Sequence, residues 1–245
     1  MVETVGGGIM DEKELVYSKL ICACVKENEK FLLQNEVGKR AFDLAFELLE
    51  YCQSLVLFSK AIDIRSSAWS MLFFVINPKI CSMICALLLG DIPTCYMCMR
   101  AILEGAVDAV IIGVGRFLEE EFPKDLERLK ELEKKKNISF SEKCDLLLPS
   151  WVDKKTKDKC KKLWKDLSKY WLHSPGTLEM IRKRFEEAAK DDRKGLPSWT
   201  FGPPHRYFEW YPEDKKDLGK LASNLQELLS VLKVLFKPFE PNKDL

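Results

Sequence analysis

Apolar residues recur every three to four positions along most of this 245-residue chain, the spacing of one helix face. Alternation of apolar and polar residues never persists for more than a few positions, so no strand is predicted. The pattern divides into helical stretches at about residues 11–34, 37–61, 64–76, 79–89, 91–113, 117–136, 141–148, 153–173, 177–190 and 213–235. Phe42, Ala45, Phe46, Leu49 and Cys52 form the apolar stripe of the second stretch. Leu218, Leu221, Leu225, Leu228, Leu229 and Leu232 form that of the last. The stretch at 117–136 sets Phe117, Phe122, Leu126, Leu129 and Leu132 against a Lys- and Glu-rich face, which predicts a surface-lying helix.

Boundaries come from caps and breakers. Pro78 predicts a break, because the residue before a proline is pushed out of the α region. Gly90 ends one helix, and Asp91 with Pro93 opens the next. Asp153 is placed to cap a Lys-rich helix that Ser174-Pro175-Gly176 stops. Residues 196–212 carry four prolines and six aromatics and read as a loop. Residues 1–9 read as a flexible leader, and 10–245 as a single all-α domain. The expected architecture is a bundle of four to five core helices with peripheral helices, its main body drawn from residues 10–115 and 153–235.

Composition supports this picture. Hydrophobic residues make up 47% of the chain and charged residues 31%, enough for a sizeable core under a soluble surface. The net charge of +1 divides into −4 over residues 1–115 and +5 over the remainder, which by itself marks no nucleic-acid machine. The N-terminus is acidic and Gly-rich with no secretory pattern, so a cytoplasmic protein is expected. No membrane span is expected either: Asn77-Pro78-Lys79 interrupts one apolar run, and Arg100, Glu104 and Asp108 punctuate the other. Gln34, Gln53 and Gln226 are the chain's only glutamines, beside abundant Lys and Glu, a bias typical of hot environments and here pointing to an archaeal thermophile. Nine cysteines fit such a source, whose intracellular proteins carry disulfides.

Familiar motifs fail. Gly6-Gly7-Gly8 lacks the Lys-Ser/Thr of a phosphate loop, and Gly113-Val114-Gly115 lacks the third glycine of a dinucleotide fingerprint. No metal site and no cofactor is predicted. Cys95 and Cys98 form a CxxC at a helix start; they read as core residues, or as half of a disulfide or zinc site shared with Cys81 and Cys85. Residues 154–169 hold eight Lys and two Asp, either a solvated face or a seat for nucleic-acid phosphates with Lys155, Lys159, Lys162, Lys165 and Lys169 as contacts. The aromatics of 205–212 serve to stack on a base or to cover a core edge.

The sharpest constellation is Arg100, Glu104 and His173. Arg100 and Glu104 stand one helical turn apart and share a face. A buried arginine needs an anion, and His173 closes a separate helix. If those helices pack together, the three form either a small catalytic site or a buried salt-bridge network that sets helix register.

The block 87–109, LLLGDIPTCYMCMRAILEGAVDA, and the element at 167–175, LSKYWLHSP, carry a resemblance. Together they resemble a prokaryotic family of unknown function related to the HEPN-like helical bundles, many of which are toxin or phage-defence ribonucleases. The resemblance spans residues 40–175. It implies a homodimer that acts as a non-catalytic interaction or regulatory module, with a metal-independent ribonuclease as the alternative. In the latter, His173 would be general acid/base, Arg100 would steady the phosphate charge, and RNA would be the partner. HEPN nucleases carry an arginine a few residues before the histidine; here Lys165 and Lys169 occupy that window.

Overall fold

The computed structural model describes residues 28–58, 67–113, 129–134, 137–171 and 215–240, together with Cys22, Val25, Lys26 and Glu127. Every regular element among them is helical, so the all-α expectation holds. After a helical segment at 28–34, α1 spans Glu36–Phe58, α2 Ser67–Met71, α3 Asn77–Leu88 and α4 Ile92–Gly113. Then come α5 (Phe140–Leu146), α6 (Lys154–Trp171) and α7 (Lys215–Leu235). The predicted leader at 1–9, the helix at 177–190 and the loop at 196–212 lie outside the described residues, as does most of the helix at 117–136.

The α4 helix is the hub, with α2, α3, α6 and α7 all packed against it. Its sequence explains this position: it is apolar on nearly every face, and such a helix is stable only when surrounded. Cys95, Tyr96, Met99, Ile102, Leu103, Ala106, Val107 and Val110 are all buried. Around it, α1 pairs with α7, and their contacts advance together along both helices. Gly219 faces Val37, Arg40 bonds Gln226, and Lys233 meets Glu47 at 2.9 Å. The two therefore run parallel. Tyr96 on α4 accepts from Asn224 on α7 at 3.3 Å.

Several local signals act as expected. Gly90 has a left-handed φ of 72°, and the backbone N–H groups of Gly90 and Asp91 return to Leu87 and Ala86. That is the turn a glycine after a helix end makes possible. Asp91 then caps α4 through the Thr94 N–H at 3.1 Å and hydroxyl at 2.6 Å. Asp153 caps α6 through the Thr156 N–H at 2.7 Å, and these bonds hold its carboxyl below the usual range. The resulting α3–α4 hairpin is tight. At the far end of the α2–α4 contact, a Cβ on Gly113 would stand 2.8 Å from the Cβ of Ala68, so only glycine allows the crossing.

Pro78 does not break its helix. The chain passes from α2 through a π-helical turn at Leu72–Ile76 directly into α3, with Pro78 in the first turn of α3. The Asn77 N–H bonds the Leu72 carbonyl, one residue further back than in an α-helix. The wider turn makes room for the proline ring, and the continuous helix forgoes only the one bond that Pro78 has no N–H to make. The outcome is one helix over Ala68–Leu88 that is long and apolar enough to cross a membrane by length and composition, where an interruption was expected. In α1 the buried stripe is Ala41, Ala45, Leu48, Cys52 and Leu55. Phe46 of the predicted stripe is exposed, and Phe42 and Leu49 are half-buried.

Candidate functional site

Three polar residues, Arg100, Glu104 and Asp108, follow one another at four-residue intervals on the otherwise apolar α4. That spacing sets them in one row along the helix. Arg100 Nε donates to Glu104 Oε1 at 2.9 Å, so the predicted pair exists. It is not sunk in the core, however: the side chains retain 28% and 38% of their exposure. Arg100 sits at the bundle rim, where its charge is partly solvated and its burial cost is small.

The rest of the row is covered by helices from later in the chain. Trp164 of α6 donates its indole N–H to the same Glu104 oxygen at 2.6 Å. The Arg100 guanidinium lies over the Trp164 ring, 4.7 Å from its centroid. Phe140 of α5 stacks on Trp164, with centroids 5.3 Å apart and planes 12° from parallel. One turn further along α4, Lys143 of α5 bonds Asp108 at 2.7 Å and also pairs with Glu133. Lys143 keeps 10% side-chain exposure and Asp108 19%, so this second pair is the buried one.

The electrostatics differ along the row. Burial pushes the Asp108 carboxyl up, and nearby Glu133 and Glu104 push the same way, while Lys143 opposes them. Burial also disfavours the Lys143 ammonium, but Asp108 and Glu133 outweigh it and raise its pKa. Lys143 therefore stays charged and joins Asp108 of α4 to Glu133.

Of the expected constellation of Arg100, Glu104 and His173, the Arg100–Glu104 pair is present. The Lys-rich helix that leads to His173 does pack on α4. His173 follows the last residue of α6 by two positions and lies outside the described residues. What sequence reasoning missed is the partner set: Trp164, Phe140, Lys143 and Glu133. Trp164 was legible only as the aromatic that interrupts a lysine-rich stretch, and Lys143 carried no signal that separated it from surface lysines.

Of the proposed phosphate-contacting residues, Lys155, Lys162, Lys165 and Lys169 are exposed on α6 and Lys159 is half-buried. Lys155, Lys159 and Lys162, with Lys154, line an open depression closed by Asp158 and Glu227. Other α6 lysines are engaged: Lys161 pairs with Asp145 and Asp158, and Lys157 bonds the Asp145 and Leu148 carbonyls. Cys81 and Cys85 are exposed while Cys95 and Cys98 are buried, and all four thiols are free. No group of three or more His, Cys, Asp or Glu residues able to hold a metal occurs among the described residues.

No protein-family model matches this chain, and neither any curated protein nor any solved structure matches it.

Proposed function

We propose that this protein is a non-catalytic interaction module of the HEPN-like type that works as a homodimer. The observation that supports it most is the engagement of Glu104. Its Oε1 accepts from both Arg100 and Trp164, so the row at the heart of the resemblance ties helices together. An arginine stacked on an indole and bonded along its own helix is poorly placed to follow a scissile phosphate. An exposed aromatic patch offers the contact surface. Trp69 stacks on Phe73 at 4.8 Å, Phe73 meets Phe74 edge-on, and Trp69 is bonded to the Val56 carbonyl beside exposed Leu57. Phe73 and Phe74 are 45% and 62% exposed, and neighbouring apolar groups left in water mark interaction sites. A two-fold dimer brings such a patch against its own copy.

Sedimentation equilibrium at micromolar concentration tests this reading. The expected result is a dimer that Phe74→Asp converts to monomer with unchanged helical circular dichroism. A monomeric wild type would refute it. The RNA-binding ribonuclease reading is favoured by one observation, the row of outward lysines on α6. It requires RNA affinity that falls steeply with salt, and cleavage of a mixed RNA pool that His173→Ala abolishes. Equal, negligible cleavage by both proteins is the expected result.

A further inference from the structure

Cys144 on α5 and Cys160 on α6 are both fully buried, and both are free thiols. They occupy the face along which these two helices pack. Their neighbours bracket them: Lys161, next to Cys160, pairs at 2.8 Å with Asp145, next to Cys144. Lys157 adds bonds to the Asp145 and Leu148 carbonyls at 3.3 Å. Between these tethers the two thiols are close enough to act on one another electrostatically. The other cysteine pairs differ. Cys81 and Cys85, like Cys95 and Cys98, sit on one helix about a turn apart, and a bridge there would constrain nothing between helices.

We propose that Cys144 and Cys160 are a disulfide site that welds α5 to α6. These helices carry Lys143, Phe140 and Trp164, so the bond would lock together the clamp that holds the polar row of α4. The oxidant is a small-molecule disulfide. One cysteine thiolate attacks it and releases a first thiol; the second cysteine thiolate then attacks the mixed disulfide at the protein-bound sulfur and releases another. One S–S bond forms and one is broken, the two protein thiols are oxidised, and their protons end on the two small thiols released. The folded state obstructs both steps. Burial excludes the reagent, and the neighbouring Cys160 thiol together with burial pushes the Cys144 thiol well above its ordinary value. The bond is therefore made while the chain folds, and once made it is shielded from reductant.

The test refolds the denatured full-length protein in oxidised glutathione or in a phosphine reductant, then maps unreduced peptides by mass spectrometry. The expected result is a peptide pair joining Cys144 to Cys160 in the oxidised sample only. Its Tm should rise by about 5 °C or more over the reduced protein, the scale for closing a loop of this size. Cys144→Ser and Cys160→Ala should each remove both the linked peptide and the shift. Reduced protein given oxidised glutathione without unfolding should link far more slowly. The proposal is overturned if Cys144 and Cys160 are both alkylated after oxidative refolding, or if the linked peptides map to another pair. Linking of the folded protein as fast as of the unfolded chain would overturn the shielding.

Discussion

Replacing Lys143 by methionine is expected to destabilise the protein by about 3–5 kcal/mol, lowering its Tm by about 10 °C. The substitution keeps most of the side-chain volume and removes only the cation. Asp108 and Glu133 would then face each other beside α4 with no opposite charge between them. The pH dependence has a definite sign. Asp108 already has a raised pKa, so its protonated form is favoured in the fold, and losing Lys143 pushes it further up. The gap between wild type and variant should narrow as the pH falls through the carboxylate range, because Asp108 then takes up a proton and the repulsion between the two carboxylates is relieved. In the wild type, the stabilisation from Lys143 is complete below the ordinary lysine value and is lost as the pH rises through its raised folded value. Adding Asp108→Leu to the Lys143→Met variant should recover part of the loss. Denaturant melts of the four proteins in this cycle measure the coupling; a Lys143→Met loss below about 1 kcal/mol would dismiss the triad as surface decoration.

The next largest effect is expected at Trp164. Trp164→Ala removes the stack on Phe140, the ring under Arg100 and the donor to Glu104 together, for a loss of about 3 kcal/mol. Trp164→Phe keeps a ring and loses only the indole N–H, for about 1 kcal/mol. Arg100→Met should be the mildest of the three, under about 1 kcal/mol, since its guanidinium is partly in water. The four-residue spacing of Arg100 and Glu104 leads to the opposite order, with the arginine as the costly member. Thermal melts showing Arg100→Met to be as damaging as Trp164→Ala would restore that order and place the arginine in the core.

The contrast shows which parts of this fold were written locally. Gly90, Asp91 and Asp153 are legible because each acts on backbone groups within a few residues of itself, where type and position suffice. The Arg100–Glu104 bond is legible for the same reason, lying within one turn. Trp164 and Lys143 act across 60 and 35 positions of sequence, and nothing in their neighbourhoods says which helix they will meet. The burial of α1 is misread at Phe46 because size suggested the inward face, while Ala41 and Leu48, outside the predicted stripe, join Ala45 and Cys52 on it. Pro78 is misread because the breaking rule assumes α-helical hydrogen bonding on both sides, and here the preceding turn is wider.

That wider turn has a consequence for how the chain tolerates change. A π-turn closes its hydrogen-bonded ring around one residue more than an α-turn does, so the helices on its two sides are offset by about 100° relative to an uninterrupted rod. Met71, Leu72 and Ile76 point into the bundle, while Phe73 and Phe74 are turned out. Residues 72–76 thus act as a phase adjuster. Removing any one of them would preserve the composition, length class and helicity of the segment, yet rotate α2 against α3. The contact of Ala68 with Gly113 and the outward pose of the aromatic pair could not then both survive. Substitutions there are judged by their chemistry, but an insertion or deletion is judged by an angle.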